Sequence, residues 1–435
     1  MKTEIDFNSP AYKRSRGAYM AQSTFEYFVS LLATGAFLAK LLTSLGISDS
    51  LAGVIASFSS LIFVCQLFSI LLVKGRLGSK ALSVIFETLS QISFALMYFI
   101  PFFPIAKETK HAIVVIFIII GYVAKYLVFS ILFGWGNSFC DPGKRGIFSA
   151  RREMISLVSG IVFTLTVSKV FDGLEAGGNQ RGGFAFIAVL MLVSSLASFI
   201  CMLMMRPAKQ EEQQAQKKSL SDVMKNTIGN TAFRRILIFT LIFSSAGNFT
   251  LGFLGVYKTN DLAMSLFVIE LINMASNLCR FALSAPFGRF ADKTSFAKGI
   301  ELGAIMLVIA YFFCMLTTPK TWFFIIVFSI VYNASLAGTN QNSFNIIYSC
   351  IDNEYITQAM AIKSCVNGVF GFIAALIGGK ILAAVQANGN RVFGIPVYGQ
   401  QLLSLISCVV MAVAVLYLHF AIVAPDEERK KVHED

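Results

Sequence analysis

The sequence predicts an all-α membrane protein in which twelve transmembrane helices form two pseudo-symmetric six-helix bundles. Three observations carry that prediction. Of the 435 residues, 56% are hydrophobic and only 14% charged, against roughly 25% charged in an ordinary soluble domain; the mean hydropathy is strongly positive. The apolar residues fall into twelve runs, each near the roughly 20 residues that cross a bilayer as a helix. Loop sequences of the first half also return in the second at a nearly constant offset, the mark of a duplicated unit.

In chain order the runs lie near 19–42, 51–73, 79–100, 111–134, 153–171, 184–205, 235–257, 262–285, 297–317, 321–347, 357–384 and 398–423. They are continuous rather than alternating, so barrel strands are not expected. The longest polar stretch, Arg206 to Arg235, separates six runs from six and contains Glu211, Glu212, Gln213, Gln214, Lys217 and Lys218. The expected organisation is therefore an N-terminal bundle over 1–205, a cytosolic linker over 206–234 and a C-terminal bundle over 235–435. The linker's Ala, Gln, Lys and Glu content allows a surface helix.

A net charge of +12 would suggest nucleic acid in a soluble protein. Here lysine and arginine gather in the two tails and in alternate loops, outnumbering those on the other side by about three to one. That asymmetry predicts a plasma or inner membrane protein with both termini cytosolic, its charge serving topology and contact with anionic lipid. Lys13, Arg14 and Arg16 precede an apolar run too long for a signal peptide. Of eight cysteines, Cys65, Cys201, Cys279, Cys314 and Cys408 lie inside apolar runs, and no CxxC occurs; they read as small buried hydrophobes. His111, His419 and His433 show no metal-ligand spacing. No metal or other cofactor is expected.

The repeat is legible in two loops. Gly75-Arg76-Leu77-Gly78-Ser79-Lys80 aligns with Gly288-Arg289-Phe290-Ala291-Asp292-Lys293, 213 residues later. Asp141-Pro142-Gly143-Lys144-Arg145, leading to Arg151, Arg152 and Gly160, aligns with Asp352-Asn353-Glu354-Tyr355-Ile356, leading to Lys363 and Gly371, 211 residues later. On these segments the chain resembles the major facilitator superfamily, whose signature loop has a Gly-x-Leu-Ala-Asp-Arg/Lys pattern. The first copy departs from it, with Ser79 in place of the aspartate. The resemblance spans nearly the whole chain and implies a self-sufficient monomeric transporter, working by alternating access around a central cavity lined by the first, fourth, seventh and tenth helices. It also implies a conformational latch: Gly288, Arg289, Asp292 and Lys293 form a tight loop that meets the start of the fifth helix at Arg151 and Arg152. The physics suits such a latch, since glycine frees the turn and a helix N-terminus attracts the aspartate. The alternative is a solvated basic loop that fixes topology.

Ionisable residues within a span cost about 2.5 to 3.5 kcal/mol each on insertion scales, so each calls for a partner, an aqueous cavity or a task. At roughly 1.5 Å per residue, Glu26 in the first run and Lys125 in the fourth sit at similar depth. They are expected to form an ion pair, facing the substrate path or fixing the packing of the bundle. Glu87 and Glu270 are candidate proton carriers; Glu87 has Ser83 and Gln91 one turn away on either side as alternative partners. Lys363 is expected to snorkel toward the surface. The tenth run is the most polar, with Asn333, Asn340, Gln341, Asn342 and Asn345. Such amides suit a hydroxylated, amide or zwitterionic solute, with Asn248 and Gln22 as further candidates; amide-to-backbone glue between helices is the competing reading.

These features predict a secondary active transporter of a small organic solute, coupled to an ion, most simply a proton. The alternatives are an efflux pump for amphipathic compounds and a transporter-like sensor. No GxxxxGK[ST] phosphate loop and no Ser/His/Asp set appears in the sequence, so neither ATP hydrolysis by this chain nor an enzyme is expected.

Overall fold

The computed structural model describes residues 7, 9–62, 64, 80–140, 145–206, 225–352 and 355–425. Its helices are α1 (Pro10–Leu32), α2 (Gly35–Ser44), α3 (Asp49–Ala56), α4 (Phe58–Ile62), α5 (Lys80–Met97), α6 (Lys107–Ser138), α7 (Arg145–Ala176), α8 (Gln180–Met204), α9 (Thr231–Leu251), α10 (Leu254–Val256), α11 (Leu266–Lys293), α12 (Phe296–Met315), α13 (Phe324–Tyr348), α14 (Ile356–Ala387) and α15 (Gly399–Leu418). Among the described residues nine helices are long and apolar enough to cross a membrane, and α1 with α2, bent by 44°, makes a tenth span. The 25-residue α13 answers the tenth apolar run. The second run is represented by α3 and α4, its remainder lying outside the described residues together with most of the 206–234 linker. The protein is thus a multi-pass membrane protein with helical spans, in two compact units.

Those units are not a plain cut at the middle of the chain. The first is Met1–Ile47, Ile62–Ala215 and Ser265–Glu270; the second is Ser48–Leu61, Gln216–Met264 and Leu271–Asp435. Each half of the sequence contributes a short stretch to the other unit.

In the first unit α1 packs on α7 and α8, and α5 packs on α6 and α8. α1 begins well before its apolar run because Pro10, already set to a helical φ, starts the first turn. The Arg16 guanidinium donates to the carbonyls of Phe7 and Phe139 at 2.8 and 2.9 Å, the latter at the end of α6, where carbonyls lack intrahelical partners. The chain breaks after Ala33 and resumes at Gly35, whose φ of +59° is open to glycine at little cost. The Tyr98 hydroxyl takes up the Leu32 carbonyl at 2.5 Å. The core gathers Tyr19, Val84, Val128, Trp135, Phe139 and Met202. Into this unit comes the start of α11, whose Leu266 and Phe267 amides donate to the Asp172 carboxylate at 3.1 and 2.8 Å.

In the second unit α12 lies along α13, and α9 packs on α14 and α15. Small residues allow the approach: Gly303 faces Thr339 and the Ser335 carbonyl, and Gly299 faces Asn342. The borrowed α3 sets Gly53 against the Phe253 ring. Its Asp49 accepts from Asn260 Nδ2 and Gln386 Nε2, both at 2.8 Å.

The apolar runs are helical, as expected, and one expectation is corrected here. Between α14 and α15, outside the runs, the described residues also form a two-stranded antiparallel hairpin of β1 (Arg391–Val392) and β2 (Ile395–Pro396). Its turn residues Phe393 and Gly394 have φ of +50° and +82°, the twist that closes a two-residue hairpin; two residue pairs are too few to leave an alternating pattern. The signature segment Gly288–Lys293 is not a tight loop. It continues α11 to its last turn, Gly288 has no positive φ, and Lys293 closes the helix where a cation complements the dipole.

Candidate functional site

Four helices of the first unit turn polar faces toward one cavity. Along α1, Tyr19, Gln22, Ser23 and Glu26 recur at three- and four-residue spacing, which places them on one helical face. α6 contributes Lys125, Phe129 and Leu132 at the same spacing, α5 contributes Glu87, and α7 contributes Arg152, Glu153, Ser156 and Leu157. The cavity holds about 370 Å³, within the usual range for a small-molecule site. Gly160 of α7 carries no side chain because the Tyr27 ring lies against it, and this lets α7 close the wall against α1.

The charges expected to meet do meet. Glu26 and Lys125 form an ion pair at 2.5 Å, with side chains 27% and 18% exposed, and Lys125 Nζ also donates to Ser30 Oγ at 3.3 Å. Such exposure leaves the pair within reach of a small solute while keeping it out of bulk water. Glu87 is buried. Its Oε1 accepts from Gln91 Nε2 at 2.8 Å and from Gln22 Nε2 at 3.5 Å, and Gln91 Nε2 donates also to Ser198 Oγ at 3.0 Å. Of the two partners available to Glu87 one turn away, Gln91 is engaged, whereas the buried Ser83 hydroxyl has no hydrogen bond among the described residues.

Arg152 has a role that sequence reasoning missed. Its NH1 donates to the Tyr19 hydroxyl at 2.8 Å, and the guanidinium lies over the Tyr19 ring, 5.6 Å from its centroid, a cation–π distance. Tyr19, Arg152, Glu153 and Ser156 share the cavity with Glu26. The signal that would have found them is the recurrence of polar residues on one face of α1 and of α7. Arg151 is exposed.

The remaining candidates lie apart from this cavity. Glu270, on α11, is half-buried. In the second unit Arg289, Asp292 and Lys293 are exposed. Asn333 and Asn342 of α13 donate to the carbonyls of Ser329 and Gly338, four residues back on their own helix, at 3.0 and 2.8 Å. Asn248 of α9 does the same to Ser244 at 3.0 Å and accepts from Ser60 Oγ at 3.3 Å. These amides act at least in part as local backbone ligands. Asn340 is exposed, and the Gln341 side chain lies outside what is described. Lys363 does not snorkel: its Nζ donates to the Ser343 carbonyl and hydroxyl, the latter at 2.6 Å. Acceptor oxygens one helix away satisfy it sooner than the bilayer surface.

Comparison with known proteins fits this architecture. A family model described as MFS/sugar transport protein matches residues 76–425. Solved structures of similar fold include the nucleoside transporter NupG, at 13% identity and TM-score 0.68 over 95% of this chain and 99% of that one. A D-xylose-proton symporter aligns at 14% identity and TM-score 0.68, over 95% and 98%. An auto-inhibited POT family peptide transporter aligns at 9% identity and TM-score 0.69, over 94% and 96%. At these identities the likeness is one of fold. A stretch of 213 residues is 26% identical to the Arabidopsis thaliana protein named ABC transporter G family member 4, covering 48% of this chain and 35% of that one. The chain thus spans about a third of the length of that relative.

Proposed function

The chain belongs to the family of MFS/sugar transport proteins and is a secondary transporter, and from that premise we propose that it moves a small polar organic solute by alternating access, coupled to protons. The observation that carries the proposal is the Glu26–Lys125 pair in the wall of the first unit's cavity, with the buried carboxylate Glu87 lining the same space. A charged pair inside a span is costly unless it is used. A solute hydroxyl or charge entering the cavity competes for either partner, which links occupancy to the packing of α1 against α6. Glu87, held by neutral amide donors rather than by a cation, is the proposed proton carrier, because it can accept a proton without breaking an ion pair. The names of the nucleoside transporter and the D-xylose-proton symporter support a small polar solute and a proton as the pair transported. We place the protein in the cell membrane with both termini cytosolic, on the lysine and arginine asymmetry.

Uptake into proteoliposomes under an imposed pH gradient tests this reading. Glu87→Gln should abolish concentrative uptake while leaving solute exchange across the membrane measurable, since exchange needs no net proton release. Equal concentrative uptake by wild type and Glu87→Gln, or uptake indifferent to the gradient, would remove Glu87 as carrier.

A further inference from the structure

We propose that the cavity of the first unit recognises a zwitterion of the α-amino acid kind, its carboxylate on Arg152 and its ammonium on Glu153. The inference deepens the transporter reading and rests on it. Five ionisable groups line the cavity: Glu26, Glu87, Glu153, Lys125 and Arg152. Three of them are already engaged by charge or amide groups, Glu26 with Lys125 and Glu87 with Gln91 and Gln22. The other two are not. Among the described residues Arg152 has one hydrogen-bond acceptor, the Tyr19 hydroxyl, and no carboxylate partner; no donor to Glu153 is described either.

A guanidinium presents five N–H donors in a planar fork that matches a carboxylate in bidentate fashion. One N–H goes to Tyr19, which fixes the plane of the fork through the hydroxyl and the ring beneath it. The other edge remains for a ligand. Glu153 follows Arg152 on α7 and lines the same space from its exposed side, so the cavity offers a cation and an anion, each with a charge to meet, rather than a single charge for a simple cation or anion. The flanking Tyr27, Phe129 and Leu157 offer apolar surface for a side chain. A neutral sugar would leave both charges without a counterpart, whereas a zwitterion supplies one for each.

The test is binding of the purified full-length protein to a panel of the common amino acids, the matching carboxylic acids without the amine, the matching amines without the carboxylate, and xylose. One or more amino acids should bind, with both truncated analogues of each weaker by roughly tenfold or more. Arg152→Gln should erase the preference for the amino acid over its amine, and Glu153→Gln its preference over its carboxylic acid. Arg152→Lys keeps charge but not the fork and should restore only part of the preference. Because the readout is a ratio of ligands within one variant, loss of stability does not mimic it. Binding of xylose with no amino acid bound, ratios unchanged in both variants, or no binding by any panel member would overturn the proposal. Uptake of the same panel separates the two readings: xylose uptake without amino acid binding keeps transport and removes the zwitterion, whereas amino acid binding without any uptake does the reverse.

Discussion

Glu26 and Lys125 come from helices far apart in sequence and form a direct ion pair, so removing one leaves the other inside a span without its direct partner. Their partial exposure places the cost between those of a surface pair and a buried one. Glu26→Gln should lower stability in detergent by about 2 kcal/mol, read as a drop in melting temperature. Glu26→Gln with Lys125→Met should recover most of that loss, because no charge is then left alone. Gln91→Leu removes the donor shared by Glu87 and Ser198, at about 1 to 3 kcal/mol. Cys350, just past α13 and outside the spans, touches the carbonyls of Ile346 and Ile347, and burial pushes its thiol up to about 11. Maleimide should label it at neutral pH about a hundredfold more slowly than an unperturbed thiol, the rate rising with pH as thiolate appears. At this scale the sequence disclosed Glu26, Lys125 and Glu87 because charge in an apolar run is conspicuous. It concealed the use of Arg152, which sits at the polar start of a span where arginine is ordinary, and of Tyr19, whose ring is unremarkable until a guanidinium covers it.

The helices follow local signals: apolar runs of bilayer length, Pro10 at a start, and Asn179 and Asn230 capping α8 and α9 by accepting from Gly182 and Phe233 amides. Their departures from expectation are local as well. The bend between α1 and α2 depends on Gly35 at positive φ, so Gly35→Ala should cost about 1 kcal/mol, again read as a melting shift. The approach of α12 and α13 depends on Gly303, where an added Cβ would stand 3.0 Å from the Ser335 carbonyl oxygen. Backbone cannot yield as a side chain can, so Gly303→Val should destabilise by about 1 to 3 kcal/mol. The hairpin after α14 and the helical course of Gly288–Lys293 escaped the sequence reading for opposite reasons. The hairpin is too short to show a period, and the signature segment has the glycine and charge of a loop yet simply extends a helix.

Across the whole molecule the two compact units hold reciprocal insertions: the start of α11 enters the first unit at Asp172, and α3 enters the second through Asp49. Asp172→Ala should leave the fold intact but speed hydrogen exchange at the Leu266 and Phe267 amides, which lose their acceptor; unchanged protection there would show that the carboxylate is dispensable. The duplicated loop sequences pointed to two similar halves, but not to this exchange. By itself the sequence determined the membrane class, the number and order of apolar runs, the family and the small set of charges that a bilayer would tolerate only with partners. Those properties depend on composition and spacing along one dimension. Only the tertiary structure decided that Gln22 reaches Glu87 across 65 positions, that Arg152 turns to Tyr19, and that Asn333 and Asn342 of the tenth run bond back to their own helix. Which face of each helix meets which neighbour is set by side-chain shape and close packing in three dimensions, and hydropathy records none of it.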